Sequence, residues 1–182
     1  SDMTTEQRFV PVKGFLHLGD LLDIKKEAIL LPVDASAPGA IGGTTRHFLN
    51  ALDEGTRQAM HDQVLDHAFS NGTAQWWRGD VLGREFVGFL GTLPHDNVAN
   101  AKWVAASALS SALDYMSNFA VRHFTVPLLT GGKRLKPIDA WFMMTNVAAS
   151  CKTSSMGRTW WPEMHVVTND KATYDMLQPY TR

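Results

Sequence analysis

Two short glycine stretches are where this chain could do chemistry with its main chain alone. In Gly42-Gly43-Thr44-Thr45 the glycines let backbone N–H groups approach a ligand closely. A helix starting just beyond adds unsatisfied N–H groups and a partial positive end, a setting that stabilises an oxyanion. The same residues also read as a plain loop with Thr44 or Thr45 as helix cap. Thr130-Gly131-Gly132-Lys133 offers a second phosphate cradle or, equally, a tight turn with solvated Lys133 and Arg134. Neither is a nucleotide fingerprint. Arg134 follows Lys133 where a Walker loop requires Ser or Thr, and the upstream glycine is missing. Gly39-x-x-Gly42-Gly43 fails the dinucleotide pattern.

Other chemistries find less footing. The seven histidines are scattered and build neither His-Glu-x-x-His nor a Cys/His cluster, so the sequence implies no metal. No Gly-x-Ser-x-Gly elbow carries a serine nucleophile. Cys151 follows an alanine-rich helical stretch and reads as a packing or bland surface residue. The pairs Trp76-Trp77 and Trp160-Trp161 have faces on which bases could stack, but packing at the edges of a core is the more economical reading.

The elements that must position these residues alternate between strand and helix. Phe9–Leu18 holds a strand interrupted at Pro11 and Gly14, and Ala28–Val33 is a short apolar run suited to a buried strand. Ala35–Gly39 breaks regular structure. The helix after Gly43 carries Phe48, Leu49 and Leu52 on one face and ends near Gly55 or resumes towards Leu65. Asn71-Gly72 is a turn, and Phe86–Leu90 is a buried strand. Ala101–Phe119 is the clearest helix, with Trp103, Leu109, Leu113 and Met116 near helical spacing. Phe124–Leu129 is the next strand. Pro137 suits the first turn of a helix running to about Ala149. Met164–Thr168 is the last strand, and Lys171–Leu177 a closing helix. This alternation predicts an α/β fold in three layers, α/β/α, around a mixed, largely parallel central sheet. In such sheets ligands bind beyond the carboxyl ends of the strands. The loops Asp34–Gly43, Thr130–Pro137 and Asn169-Asp170 all qualify.

Composition bounds the rest. The 182 residues suit one domain, 45% hydrophobic content is ordinary for a globular chain, and 10% aromatic residues argue against disorder. Ser1-Asp2-Met3 reads as an expression scar and start, leaving residues 4–182 as a single domain. A net charge of −1 gives no global reason to bind a nucleic-acid backbone. One cysteine permits no intrachain disulfide, so a reducing, cytoplasmic setting is the expectation. No apolar run is long enough to span a membrane, and none is expected as a partner.

The order of these pieces resembles the macro domain family, which binds ADP-ribose. Gly19-Asp20-Leu21 followed by Glu27-Ala28-Ile29-Leu30 is similar to the family's Gly-Asp-Ile start and Asp-Ala-Ile-Val strand. Gly42-Gly43 stands at its first glycine loop, and Gly79-Asp80 to Gly91 at its central glycine-rich strand region. Val126–Gly132 with Pro137 resembles the Phe-Pro-x-x-Ser-Thr-Gly segment. Val166–Asp170 with Tyr174 resembles the last strand and its Asp-x-x-x-Tyr sequel. The likeness spans residues 15–178.

The resemblance implies roles. Asp20 would accept from the adenine amine, with the Leu21 N–H nearby and Asn169 flanking the ring. Gly42, Gly43 and Thr44 would face one phosphate and the distal ribose. Thr130, Gly131, Gly132 and Lys133 would face the diphosphate. No cofactor is implied; the partner would be ADP-ribose or a related nucleotide, free or carried on an ADP-ribosylated protein. Three departures stand out. The family's ribose-contacting Asn falls on Asp34, a carboxylate whose charge repels a diphosphate. The acid that follows the first loop in many hydrolytic members falls on Thr45. The second glycine of the later loop is lost, with Arg134 near it. Three functions follow: a module binding ADP-ribose, a hydrolase removing ADP-ribose with Asp34 as the catalytic residue, and a degenerate fold serving protein interaction.

Overall fold

The computed structural model describes residues 13–38, 41–93, 98–151, 153–155 and 158–181. The segment Ser1–Met3, the Phe9–Val12 half of the expected first strand and Gly39 lie outside the described residues.

Among the described residues six strands form one sheet in the order β1-β8-β5-β2-β4-β3. These are β1 (Lys13–Leu18), β2 (Ala28–Asp34), β3 (Ala74–Val81), β4 (Arg84–Leu93), β5 (His123–Pro127) and β8 (Glu163–Thr168). All neighbours are parallel except β3, which returns antiparallel along β4. A separate hairpin pairs β6 (Thr153–Ser155) with β7 (Arg158–Trp160). The helices are α1 (Gly43–Asn50), α2 (Glu54–Met60), α3 (Val98–Asn118), α4 (Pro137–Ser150) and α5 (Lys171–Leu177). The mixed, mostly parallel α/β sheet expected from the sequence is the one observed. Among the described residues no helix is long and apolar enough to cross a membrane.

The apolar runs decide this arrangement. Ala28, Ile29, Leu30 and Leu31 are all fully buried, as a central strand covered on both faces requires. Leu30, Phe86, Leu90, Phe124 and Val126 face α3, α4 and α5, whose Leu109, Leu113, Met116, Trp141, Met144 and Leu177 close one core. Ile29, Leu31, Val87, Phe89 and Val167 face α1 and α2, closing a second core with Phe48, Leu49, Met60 and Leu65. Alternate side chains of each strand therefore feed opposite layers.

Several elements differ from the sequence reading. Strand β1 runs through Gly14 without interruption, because paired backbone on β8 carries it. Strand β5 ends at Pro127, so Leu128 and Leu129 belong to the loop. The helical region after Gly43 is two helices. Asp53 caps the second by accepting from the Thr56 N–H at 2.8 Å, which places Gly55 inside it and not at an end. A π-helical turn (His61–Leu65) then carries the chain to Leu65. Trp103 is not on the buried face of α3. It is 74% exposed, because Ala101, Ala105, Ala108, Ala112 and Met116 set a face that position 103 misses. Strand β3 was not anticipated: Gln75-Trp76-Trp77-Arg78-Gly79-Asp80 lacks clean alternation, and pairing with β4 makes it a strand. Trp76 and Trp160 pack as expected of the two tryptophan pairs. Trp76 stacks on Tyr115 at 4.4 Å, and the buried Trp160 donates from Nε1 to the Val121 carbonyl at 2.9 Å. Cys151 is half-buried, and burial pushes its thiol up.

Candidate functional site

The carboxyl ends of β1, β8, β5 and β2 lie side by side, so the loops that follow them share one edge. Strand β2 leads towards β4 and β3 on one side, while β5 leads through α4 to β8 on the other. Between them is the point where the winding reverses, the place where open α/β sheets leave a crevice. Here the strand pairing at that point is partial. Strand β2 pairs with β4 along its length but with β5 only at Ala28↔Phe124 and Ile29↔Thr125. Asp34 closes β2, and Thr130 lies three residues beyond the end of β5.

The first turn is built openly. Gly42 is the N-cap of α1 and gives no side-chain cap bond; neither Thr44 nor Thr45 is the cap. Thr45 is buried, and its hydroxyl donates to the Pro32 carbonyl at 2.6 Å, fastening α1 to β2. Gly43 has φ +59°, and a Cβ added at Gly42 or Gly43 would meet nothing within 4 Å. The main chain at these two residues is thus bare to the solvent side. Arg46, one turn into α1, holds the Ile41 carbonyl through Nε at 2.8 Å and through a second guanidinium nitrogen.

The second turn is tighter. Gly131, Gly132 and Lys133 all sit at positive φ, +61°, +68° and +69°. Thr130 closes the turn twice: its carbonyl accepts from the Leu135 N–H at 2.8 Å, and its hydroxyl accepts from the Lys133 N–H at 3.3 Å. Arg134 folds back and donates to the Gly131 carbonyl at 3.1 Å. The preceding Leu129 N–H ends on the thioether sulfur of Met144 at 3.4 Å.

Asp34 carries a different bond pattern from that of an exposed base. Its Oδ1 accepts from the Ser36 N–H at 3.0 Å and from the Ser36 hydroxyl at 2.8 Å, shaping its own loop. The amide side chain at this spot comes from Asn71, whose Oδ1 accepts from the Ala35 N–H at 3.2 Å. Gly91 of β4 lies directly beneath. A Cβ there would come within 2.9 Å of the Ala35 Cβ, 3.0 Å of the Ser70 carbonyl oxygen and 3.1 Å of the Asn71 Cα. The absent side chain at Gly91 is what lets the Ser70–Gly72 turn and the Asp34 loop cross so closely.

At the far side, the Gly19 N–H donates to the Thr168 carbonyl at 2.9 Å and ties the ends of β1 and β8 together. Asp20 and the exposed Asn169 are therefore neighbours. Asp20 starts a 3₁₀ turn (Leu21–Asp23) by accepting from the Leu22 N–H at 2.9 Å. It also pairs with His47 of α1 at 2.9 Å. The Leu22 N–H, and then His47, hold its carboxyl below the usual carboxylate range. Leu21 itself is buried. Beneath the turn lies the fully buried Arg84 guanidinium, donating to the Leu82 carbonyl at 2.8 Å, the Leu22 carbonyl at 2.9 Å and the Leu21 carbonyl at 3.4 Å.

The structure thus places Asp20, Leu21, Asp34, Gly42, Gly43, Thr44, Thr130, Gly131, Gly132, Lys133 and Asn169 along one edge. From β1 to β2 this edge covers three inter-strand spacings, about 14 Å. That is too wide for a single oxyanion and commensurate with an extended nucleoside diphosphate. His47, Asn71, Arg46 and Arg84 were not read from the sequence. His47, Asn71 and Arg84 act through partners remote in the chain, Arg46 folds back on Ile41, and a surface His or Arg on a helix carries no local signal.

No family model matches the sequence, and no curated protein matches it. Solved structures do. A macrodomain from Oceanobacillus iheyensis with ADPR superposes with a TM-score of 0.70 at 16% identity, covering 90% of this chain and 89% of that one. The fold is a macrodomain. A Trypanosoma brucei macrodomain in complex with ADP agrees, with a TM-score of 0.72 and 12% identity over 92% of this chain and 68% of that one. So does the alphavirus P23pro-zbd, with a TM-score of 0.69 and 15% identity. The chain spans 95% of its own length in that match but only 24% of the alphavirus protein. In this macrodomain fold the glycine turns follow β2 and β5 at the carboxyl edge.

Proposed function

We propose that this macrodomain binds ADP-ribose or a related adenine nucleotide along the carboxyl edge of its sheet, and that it can take the nucleotide free or attached to a protein. The reading is carried by the parting of β2 from β5 with one glycine turn on each side of the gap. Main-chain N–H groups at Gly42, Gly43 and Thr44 on one side, and at Gly131 and Gly132 on the other, suit a diphosphate, with the Lys133 N–H closing the second turn on the Thr130 hydroxyl. Asn169 and Asp20, at the ends of the next two strands β8 and β1, suit the adenine. The similar macrodomains with ADPR and in complex with ADP support the same ligand class. Binding is preferred over hydrolysis because Asp34, the candidate base, has Oδ1 committed to Ser36, and Thr45 is turned inward onto Pro32.

Calorimetry of the full chain with ADP-ribose, ADP and AMP tests this. The diphosphates should bind more tightly than AMP. Asp20→Ala should weaken all three by about 1–3 kcal/mol through loss of one hydrogen bond to the base. No heat and no thermal shift with any of the three would overturn the proposal. Incubation with a mono-ADP-ribosylated protein separates retention from release. Release that disappears in Asp34→Ala would restore the hydrolase reading.

A further inference from the structure

The opposite, amino-terminal end of the sheet carries a cluster of side chains that the nucleotide reading does not use. His123 and Glu163 are the first residues of the neighbouring strands β5 and β8 and face each other in register. His165 lies two residues along β8, on the same face as Glu163. Glu163 Oε2 stands 2.5 Å from His123 Nδ1 and 3.0 Å from His165 Nε2, and one ligand atom from each residue falls within 4.8 Å of the other two.

We propose that His123 Nδ1, a Glu163 carboxylate oxygen and His165 Nε2 form a mononuclear site for a divalent d-block cation of the zinc class, with a fourth position open to solvent. Three observations favour this over a hydrogen-bonded chain serving packing alone. First, two imidazoles and one carboxylate are the donor set that zinc takes in three-ligand open sites. Ligand atoms around such an ion stand roughly 3.3 Å apart, so the present spacings need adjustments of a few tenths of an ångström to at most about 1.5 Å. Second, the remaining ring nitrogen of the buried His165 is already engaged: Nδ1 lies 2.8 Å from His17 Nε2, and Phe15 stacks on the ring at 4.7 Å. Such outer contacts fix a ligating imidazole in orientation and tautomer. Third, the cluster is reachable. The His123 side chain is 39% exposed and that of Glu163 23%, and His123 also lines a groove of about 450 Å³ with Lys25, Lys26, Glu27 and Gly83. Lys26 is within electrostatic reach of His17 and His165 and opposes a cation, while the Glu163 charge offsets it.

The test uses the full, tag-free chain stripped with chelator. Titration with Co²⁺ should develop visible d–d absorption saturating at one ion per chain, and Zn²⁺ should displace it. His123→Ala and Glu163→Gln, at half-buried positions, should each weaken binding roughly ten-fold or more. His17→Phe should weaken it less, by freeing the His165 ring, and Lys26→Met should tighten it. A packing role for the cluster would produce neither trend. Circular dichroism and the melting curve of each variant report whether it has folded. Absence of a Co²⁺ spectrum in the folded wild-type chain would overturn the proposal. So would affinity that survives in both His123→Ala and Glu163→Gln, which would place the ion at another histidine.

Discussion

The two ends of the same parallel sheet are made of different chemistry. At the carboxyl end the groups on offer are main-chain amides, released by Gly42, Gly43, Gly131 and Gly132. At the amino end they are side chains, with His123, Glu163 and His165 brought together by strand register. Main-chain donors suit a ligand that is long and anionic, whereas convergent imidazoles and a carboxylate suit a compact cation. The comparison teaches that a parallel sheet sorts its functions by end. Loops leaving the strands can shape themselves to a ligand, while residues entering them are fixed by pairing.

Arg84, the first residue of β4, reaches from the amino end to the turn after Asp20 and gives the largest expected effect. It donates to three carbonyls from a fully buried position. Arg84→Met should cost about 3 kcal/mol in urea unfolding, because carbonyls of the Leu21–Asp23 turn lose charged donors. If the variant retains wild-type stability, the Asp20 turn is not anchored from below. Gly91→Ala should cost about 2 kcal/mol by overpacking against Ala35, Ser70 and Asn71. It should also lower nucleotide affinity while leaving Co²⁺ binding unchanged. Equal loss of both ligands would erase the separation between the ends.

A pH series sharpens the carboxyl end further. The Asp20 carboxyl is depressed in the folded state by the Leu22 N–H and by His47. Its stabilising contribution is therefore present above its unfolded pKa, about 3.9, and is lost as pH falls through the lower folded value. Wild type should melt above Asp20→Ala at about pH 7, and the gap should narrow below about pH 4. A gap independent of pH would mean that the ionised form contributes nothing. The smallest effect belongs to Lys133, an L-residue at φ +69°. Lys133→Gly relieves backbone strain but adds freedom to the unfolded chain, so stability should change by less than about 1 kcal/mol. ADP affinity should drop only modestly if amides hold the phosphates. A loss beyond about a hundred-fold would assign the recognition to the ammonium group instead.

How much of this was readable in the sequence follows the same division. The carboxyl edge was legible because each turn is contiguous: Gly42-Gly43 and Thr130-Gly131-Gly132-Lys133 announce themselves locally, and the apolar runs of β2, β4 and β5 fix their order. What failed was local detail set by tertiary contact. Thr45 looked like a cap and is a buried tie to Pro32, and Trp103 looked like core and points outward. The amino-end cluster was invisible for a plainer reason. His17 and His165 stand 148 positions apart, and His123 and Glu163 stand 40 apart. Only strand pairing makes them neighbours, and no spacing rule reaches that far.

The Met144 sulfur gives the second glycine turn a soft root. A thioether is a weak acceptor, so the Leu129 amide is tethered more softly than a carbonyl would hold it. Beyond it the turn is braced from within by Thr130 and Arg134, and the opposing turn is pinned by Arg46 to Ile41 and by Thr45 to Pro32. Any give between the two therefore lies at Leu129, where a braced turn can tilt as one piece.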